Sequence, residues 1–429
     1  MNVSNIQKNV IRETKKIVKK NYFFSNSLSY FPIFSNTPGT LLLKSLNDKK
    51  FILNFFLNYS KFFLSIFFSK VEFKKNFKKK ICFKNIYFSW GFKNNFDKRG
   101  NFKDKYTNIN ISNFKNTLIF LLYLDDELPK KIKPNIVLVF KKKFFKNLNF
   151  FYFFNYFIKN LGTGFFKKMS SLDSLSDQIV NFVKKNVLIE GTKNVFIIYE
   201  GQPYQKNIIH YLKKKNKFLN VTGYDHSAPP ALPLNLIFDG CSPDKLLITG
   251  KEQGIFYRKY LNWPRRRLKI IPSFRFRKEK KIFFKKRIFL PFELDNKNVF
   301  LKNFQILSDL NIIGDMKNFE VKIHPLGLKN KEHIEFSEKI KKIIEKKQNL
   351  KKDKFHNSTV FFGQTTAILV ALELNFKCYH VCSYPIFDCY SSELWSAIKV
   401  KKLSNNLFMY KLRKKNSFLK KGLNIEKIF

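Results

Sequence analysis

Two polar positions, each following a strand-like apolar run, could together perform acid–base and phosphate-binding chemistry. Glu200 follows the run 194–199, and His324 follows the run 319–323. Ligands of open α/β sheets bind at the carboxyl ends of the strands. The two residues are far apart in the chain, so they belong to different halves and could face each other across a cleft. A carboxylate on one side and an imidazole on the other suit a transferase with two substrates.

The segment Tyr199-Glu-Gly-Gln-Pro203 is the first candidate for catalysis. A carboxylate here could accept the proton of an acceptor hydroxyl as that hydroxyl attacks. His226 ends the segment after the next predicted strand and could orient Glu200 or hold the acceptor. The alternative for Glu200 is a structural role, because an acid near the first turn of a helix is electrostatically favoured.

Three neighbours of these residues are candidates for binding the acceptor. Gly201 would let an acceptor approach the backbone closely, because it has no side chain. Tyr224 and Asp225 precede the imidazole at the end of the same predicted strand and are weaker candidates for this contact.

The donor-binding candidates lie in the second half of the chain. His324 can donate a hydrogen bond to a phosphate oxygen, and Pro325 ends the strand before it. Thr365 and Thr366 open a predicted helix, where free N–H groups and hydroxyls suit a phosphate. Capping by Thr365 is a compatible alternative, and a surface position is the alternative for His324. Arg275 follows a strand at the crossover between the halves and could contact the same phosphate.

Regularly alternating strands and helices must position these residues, and this alternation predicts parallel sheets. The fold class is therefore α/β, with two Rossmann-like domains whose parallel sheets face a cleft. The predicted strands are 118–123, 135–140, 194–199, 219–224, 245–249, 268–271, 287–292, 319–323, 358–362 and 377–382. The predicted helices are 171–187, 204–216, 251–262, 298–311, 331–347, 365–374 and 391–398.

These elements suggest a division of the chain into four parts. An irregular N-terminal extension covers residues 1–110, and an acceptor domain covers 111–275. A donor-nucleotide domain covers 276–405, and a basic tail covers 406–429.

The charge of the chain points to an anionic partner without identifying it. The 429 residues carry a net charge of +51, together with 53 Phe residues, a composition that fits an A/T-rich genome. The Lys residues are spread over the whole chain, which argues against nucleic acid and favours a general attraction to anionic lipid.

The cysteines indicate a reducing compartment, because their number, five, is odd in a long chain. Three of them lie close together in the sequence but lack the Cys-x-x-Cys spacing of a zinc site, so we interpret them as small buried residues. The five are Cys82, Cys241, Cys378, Cys382 and Cys389.

The apolar run 51–68 carries Asn54, Asn58, Lys61 and Ser65 at helical spacing. Three interpretations stay open: a helix packed on the N-terminal domain, a helix in the membrane interface, or a transmembrane span.

The order of the motifs resembles GT-B glycosyltransferases of bacterial surface carbohydrate biosynthesis, and is similar to that of sialyltransferases, polysialyltransferases and capsule polymerases. The motifs are Glu200-Gly201, Gly223-Tyr-Asp-His226, Pro243-Asp244, Ile248-Thr-Gly250, Ser273-Phe-Arg275, His324-Pro325, Thr365-Thr-Ala367 and Ala371-Leu372. Two positions depart from the family pattern: Val370 stands where relatives have Glu, and Asn375 where they have Gly.

The resemblance implies that Glu200 is the base, assisted by His226, and that His324, Thr365 and Thr366 bind the donor phosphate. It implies a nucleotide-sugar co-substrate, no metal or other cofactor, and a glycan or glycolipid acceptor. It also implies a cytoplasmic protein that works at the inner face of a membrane. The alternatives are a polyol-phosphate transferase, or a non-enzymatic basic protein that binds nucleic acid or anionic membrane.

Overall fold

The computed structural model describes residues 3–20, 69–77, 80–143, 171–274, 286–291, 293–294, 296–310, 312–313, 319–324, 327–346 and 357–420. The apolar run 51–68, Arg275 and Pro325 lie outside these residues, so the predictions made for them stay predictions.

The first sheet has eight strands in the order β1-β5-β4-β3-β7-β8-β9-β10. All neighbours are parallel except β1, which runs antiparallel to β5. A separate short ladder joins β2 (Ile81–Cys82) to β6 (Val187–Leu188). The strands of the sheet are β1 (Ser69–Lys74), β3 (Asn85–Gly91), β4 (Thr117–Tyr123), β5 (Ile136–Lys143), β7 (Asn194–Ile198), β8 (Asn220–Tyr224), β9 (Lys245–Ile248) and β10 (Leu268–Ile270).

The second sheet has six strands in the order β12-β11-β13-β14-β16-β15. Its first four strands are parallel, and the last two form an antiparallel hairpin along β14. The strands are β11 (Lys286–Phe289), β12 (Glu320–Lys322), β13 (Ser358–Phe362), β14 (Lys377–Val381), β15 (Ile398–Lys402) and β16 (Leu407–Leu412). Two parallel-rich sheets confirm the predicted α/β class.

The helices connect the strands and cover the sheets. Pro203 begins α3, where its missing N–H costs nothing, and three Lys residues end that helix at its negative pole. Asn330 caps α6 by accepting from the N–H of Glu332 at 2.9 Å. The helices are α1 (Val3–Lys20), α2 (Ser171–Asn186), α3 (Pro203–Lys215), α4 (Lys251–Tyr260), α5 (Lys297–Asp309), α6 (Lys331–Glu345), α7 (Ala367–Glu373) and α8 (Pro385–Asp388).

The strand order changes direction once in each parallel region. In the first sheet β3, β4 and β5 extend to one side, whereas β7, β8, β9 and β10 extend to the other. In the second sheet β12 lies on one side of β11, and β13 and β14 lie on the other. The crevice at such a switch point is where open parallel sheets bind ligands. The places to search are therefore the carboxyl ends of β3 and β7, and those of β11 and β13.

The carboxyl edges of the two sheets meet through the loops after β8 and β14. The hydroxyl of Tyr390 donates to the carbonyl of Pro229 at 2.8 Å. The indole of Trp395 donates to the carbonyl of Ala231 at 3.0 Å and stacks on Phe256 of α4 at a centroid distance of 4.1 Å. One apolar cluster therefore runs through both sheets and joins their carboxyl edges.

Each terminal region of the described chain packs on the sheet to which it does not belong. Helix α1 precedes the first sheet but contacts the second: the Gln7 amide donates to the carbonyls of Ile386 and Cys389 at 2.9 and 2.7 Å. The segment after β16 returns to the first sheet, where the Thr249 hydroxyl donates to the carbonyl of Phe418 at 3.1 Å. The terminal segments are thus exchanged between the two sheets.

Two predicted domain boundaries differ from the structure. Strands β1 and β3 come from the range 1–110, and β3 lies in the middle of the first sheet, so this sheet begins well before residue 111. Strand β16 lies between β14 and β15, so the range 406–429 includes part of the second sheet.

The predicted helix 391–398 is wrong. The chain forms turns up to Ala397, and β15 begins at Ile398. The apolar residues whose spacing predicts a helix here lie at the interface between the two domains. Trp395, for example, is fully buried and stacks on Phe256 of the first domain.

Candidate active site

A tight turn after β7 carries Glu200, and Gln205 of α3 holds that turn from inside. The Gln205 Oε1 atom accepts from the N–H groups of Glu200 and Gln202 at 2.9 and 3.1 Å. Its Nε2 atom donates to the carbonyl of Ile198, the last residue of β7, at 2.6 Å. One amide side chain therefore ties the strand, the turn and the helix together.

Gly201 lets this turn pack against the chain that follows β8. Its φ of +67° lies in the left-handed region, and an added Cβ would collide with the carbonyl oxygen of Asn235. The Asn235 amide in turn donates to the carbonyl of Glu200. The space predicted for an acceptor beside Gly201 is filled by protein, so we correct that prediction: Gly201 positions Glu200.

Glu200 and His226 lie side by side at the carboxyl ends of β7 and β8, as the sequence predicted. Glu200 Oε1 is 3.6 Å from His226 Nε2, which is an ion-pair distance but longer than a hydrogen bond. The Glu200 side chain is 27% exposed and the His226 side chain 4% exposed. The carboxylate can therefore meet a substrate while the imidazole is buried behind it.

Tyr106 holds the imidazole from the other side. Its ring lies edge-on to His226 at a centroid distance of 4.2 Å. The buried carboxylate of Asp104 accepts from the N–H of Tyr106 at 2.6 Å, from the hydroxyl of Tyr87 at 3.1 Å, and from the hydroxyl of Ser89. Burial raises the pKa of Asp104. A polar network on β3 thus fixes the ring that packs on the imidazole.

Aromatic side chains line the switch point between β3 and β7. Tyr204 of α3 is buried, and this burial, together with the negative charge of Glu200, raises its pKa well above the usual value. Trp90 near the end of β3 packs edge-on to Tyr204 at 5.9 Å. The carboxylate therefore projects from largely apolar surroundings.

The two residues before the imidazole are buried supports. Asp225 Oδ2 accepts from Gln253 Nε2 and from the Tyr257 hydroxyl, both at 2.6 Å. The hydroxyl of Tyr224 accepts from the N–H of Phe274 at 3.2 Å. Tyr224 and Asp225 are 0% and 2% exposed. The prediction that they contact an acceptor is therefore wrong, because neither side chain reaches the surface.

Asp225 makes folding depend on pH. Burial is the main cause that raises its pKa to about 7, and the charge of Glu200 adds to it. A carboxyl whose pKa is raised by folding favours the folded state at low pH, and this contribution is lost as the pH rises from about 4 to about 7. Asp225→Asn removes the titration and keeps an oxygen acceptor. We expect its stability relative to wild type to rise between about pH 5 and about pH 8, by about 3 kcal/mol.

Urea unfolding at several pH values measures this effect. The exposed Asp126 is the matched control, and Asp126→Asn should be close to neutral for stability. A difference between Asp225→Asn and wild type that is constant with pH would contradict the expectation.

Thr365 and Thr366 lie in the turn between β13 and α7, at the switch point of the second sheet. Both are half-buried, and the Thr365 hydroxyl oxygen accepts from the N–H of Ala367 at 3.3 Å. The helix predicted from residue 365 therefore begins two residues later, at Ala367. Among the described residues, the buried Oε1 of Gln364 has no hydrogen-bond partner. The turn thus presents two hydroxyls, with an unused acceptor buried beside them.

A buried histidine supports this turn from below. His380 Nε2 is 2.6 Å from the carbonyl oxygen of Gly363, and its Nδ1 is 3.1 Å from the Tyr410 hydroxyl. Burial lowers the pKa of His380, so the ring is neutral. Nε2 then donates to the carbonyl, which can only accept, and Nδ1 accepts from the tyrosine. Gly363 has a φ of +56° and packs on Pro291 at the end of β11.

His324 lies on the same edge of the second sheet, after β12. Its side chain is half-buried, and its carbonyl accepts from the N–H of Gly327 at 2.8 Å, so the chain turns here. His333 of α6 supports this turn: its ring packs on Gly327, and its Nε2 lies 3.2 Å from the carbonyl oxygen of Pro291. The structure therefore places His324, Thr365 and Thr366 at one edge, and Glu200 and His226 at the edge of the other sheet.

The positions that depart from the family pattern have structural roles, and so does Glu373, the acid three residues after Val370. The Glu373 carboxylate accepts from the N–H groups of Asn416 and Phe418, both at 2.7 Å. Val370 is buried in the core, and Asn375, with a φ of +68°, ends α7 as glycine often does. Glu373 therefore stabilises the segment after β16.

Several residues that shape the two turns were not identified from the sequence. Gln205 could have been found, because an amide three residues after the start of a helix often bonds back to the chain before it. The other residues follow no periodicity, since they act through contacts made only in the folded chain: Asp104, Tyr106, Asn235, His333 and His380.

The cysteines of the second sheet are buried and unpaired with each other, as the sequence predicted. Cys378, Cys382 and Cys389 are free thiols, and burial raises the pKa of each. Within the described ranges, no group of three or more His, Cys, Asp or Glu side chains is placed to hold a metal ion. Of the helices that the structure describes, none has the length and apolar character needed to cross a bilayer.

Comparison with known proteins gives little beyond this geometry. No protein-family model matches the chain, and no curated protein matches it. Among solved structures, the chain is similar to an α,α-trehalose 6-phosphate synthase from Burkholderia multivorans, over 62% of this chain and 68% of that one. The identity is 9% and the TM-score 0.32, so this likeness assigns no activity.

The described sheets themselves define the class of fold. Two α/β domains with parallel-rich sheets meet at their carboxyl edges, which is consistent with a GT-B-like two-domain fold. Each domain has its candidate residues at a switch point.

Proposed function

We propose that this chain is a GT-B glycosyltransferase that moves a sugar from a nucleotide-sugar donor to a hydroxyl of a surface glycan or lipopolysaccharide acceptor. The observation that carries the proposal is the pairing of Glu200 with His226 at the switch point of the first sheet. A partly exposed carboxylate held by a rigid turn, with a buried imidazole beside it, suits proton removal from a hydroxyl.

In the proposed reaction, Glu200 accepts the proton of the acceptor hydroxyl. The oxygen of that hydroxyl forms a bond to the anomeric carbon of the donor sugar. The bond from that carbon to the donor phosphate breaks, and the nucleotide leaves with the bonding electrons. His226 Nε2 lies 3.6 Å from the carboxylate. When the two side chains move closer, the imidazole forms a hydrogen bond or an ion pair with Glu200. Catalytic contacts are often longer before substrate binds.

The turn at Thr365 and Thr366 supports donor binding. Hydroxyls and N–H groups directed at a phosphate stabilise the charge that develops on the leaving group. His324 on the same edge can add a further donor. His380 and His333 hold the backbone of these turns and would position the phosphate without touching it.

Removing both hydroxyls should weaken nucleotide binding. Thr365→Val/Thr366→Val is expected to raise the dissociation constant of the nucleotide at least tenfold, because hydrogen bonds to charged groups contribute about 1.5–3 kcal/mol each. The measurement is a thermal-shift titration with nucleoside diphosphates and CMP, since a bound ligand raises the melting temperature.

Thr222→Val is the matched control, because Thr222 is the middle residue of β8 in the first sheet, whereas the donor turn belongs to the second sheet. If no nucleotide raises the melting temperature of the wild-type protein, the proposed function is wrong. If a nucleotide binds, the mass of the reaction product distinguishes transfer of a sugar from transfer of a polyol phosphate.

A further inference from the structure

The amino edge of the first sheet carries exposed cations and one fully exposed aromatic ring. Backbone hydrogen bonds align this edge: Lys193 N–H donates to the carbonyl of Lys84 at 2.8 Å, and Asn220 N–H donates to the carbonyl of Lys193 at 3.0 Å. We name this amino-edge surface by its exposed cations and the exposed ring: Lys84, Lys115, Lys193, Lys214, Lys215, Lys217, Phe218, Arg265 and Arg266.

Phe218 is presented by a rigid turn. Its side chain is 97% exposed, the largest value among the large hydrophobic residues described. The Asn216 side chain accepts from the N–H of Phe218 at 3.0 Å and donates to the carbonyl of Thr192 at 2.8 Å. The next residue, Leu219, is buried in the core. The chain is therefore fixed on both sides of a ring that contacts water almost everywhere.

An open depression lies beside this ring. Its volume is about 480 Å³, and Lys213, Lys217 and Asp244 contribute polar groups to its lining. Asp244 is paired with Lys213 at 2.7 Å and lies 3.8 Å from Arg267, so its charge is compensated. The net charge around the depression is positive.

We propose that the amino-edge surface docks the protein on an anionic lipid bilayer, with Phe218 entering the interface and Lys217 beside an anionic lipid headgroup. Phe side chains flanked by Lys and Arg enter the boundary between the headgroups and the acyl chains. Basic residues near an anionic leaflet each strengthen binding about fivefold. This inference does not depend on the proposed function, because it concerns the opposite edge of the sheet.

A bilayer fits this surface better than a nucleic acid does. Proteins that hold single strands stack successive bases on several aromatic side chains along a groove. Here a single ring projects from the turn, and among the exposed charged residues described at this edge the cations outnumber the one acid, Glu190. A projecting apolar residue surrounded by Lys and Arg has the arrangement of a membrane-inserting tip.

Docking in this way fixes the orientation of the candidate active site. Phe218 precedes β8 and His226 follows it, and a five-residue strand is about 17 Å long. The Glu200–His226 pair would therefore point away from the lipid and meet an acceptor hydroxyl at some height above the headgroups.

The test is co-sedimentation of the full-length protein with vesicles of pure phosphatidylcholine or with about one third phosphatidylglycerol. We expect binding to the anionic vesicles only, weakened more than tenfold by Lys214→Glu/Lys217→Glu and several-fold by Phe218→Ser. Tryptophan emission of Phe218→Trp should shift to the blue on the anionic vesicles.

Matched controls separate this surface from the general positive charge. Lys339→Glu/Lys342→Glu reverses two exposed charges on α6, and Leu328→Ser removes a side chain that is 59% exposed. Equal losses in the test and control variants would overturn the proposal. It would also be overturned by equal binding to neutral vesicles, or by single-stranded RNA that binds the amino-edge surface more tightly than lipid does.

Discussion

Glu200→Gln is expected to lower the rate of sugar transfer by about two to four orders of magnitude, the usual contribution of a general base. The amide keeps the size of the side chain but cannot accept a proton from the acceptor hydroxyl. The turn should survive the change, because Gln205 and Asn235 hold it through the backbone of residue 200 and not through the carboxylate. The affinity for the nucleotide should stay the same, since the donor turn lies on the other sheet.

The measurement compares kcat and nucleotide affinity for the variant and the wild type. Glu190→Gln is the matched control: Glu190 is an exposed acid that precedes β7 at the opposite edge of the sheet, and its loss should leave the rate unchanged. A rate for Glu200→Gln within about tenfold of wild type would exclude Glu200 as the base.

Lys206→Met is expected to destabilise the protein by about 3 kcal/mol, because it leaves a buried carboxylate without its cation. Lys206 Nζ lies 2.6 Å from Asp239 Oδ2, and their side chains are 3% and 6% exposed. The pair links α3 to the chain after β8, which also supplies Asn235 to the Glu200 turn. Urea unfolding gives the free energy of unfolding. Transfer activity, measured at urea concentrations below the unfolding transition, should fall by a smaller factor than the folding equilibrium constant does.

Two comparisons test the cause. Lys214→Met changes an exposed lysine of the same helix and should be close to neutral. Asp239→Asn added to Lys206→Met should recover more than half of the lost stability, because it removes the unpaired charge but keeps an oxygen that can accept from the N–H of Cys241. A double variant no more stable than Lys206→Met would show that packing around Lys206, and not charge, decides the effect.

The sequence predicts many of the buried parallel strands well, because each contains a short apolar run of the kind found in a strand covered on both faces, such as 360–362 and 246–248. The strand 358–362 is found at Ser358–Phe362, and 245–249 at Lys245–Ile248. The strand β3 was missed although it lies at the centre of the first sheet. It lies in a region rich in Phe, Asn and Lys, where composition hides the periodicity.

The site was only partly predictable, for a related reason. A polar residue that ends a strand, such as Glu200 or Thr365, is visible because the change from apolar to polar is local. Tyr106 comes from an irregular connection between β3 and β4, and its contact with His226 exists only because β3 and β8 lie on either side of β7 in the sheet. Conversely, Tyr224 and Asp225 have suitable chemistry at a suitable place, but the fold buries both.

The exchanged terminal segments make the two domains hard to dissect. Removing the first domain would expose the surface around Trp395 that Phe256 covers, and would leave the segment of Phe418 without Thr249. Removing the second domain would leave Gln7 without its hydrogen-bond partners and would expose the apolar side of α1 to water. Neither domain is therefore suited to independent expression. If domains were exchanged between related proteins, α1 would have to be transferred with the second domain, and the segment after β16 with the first.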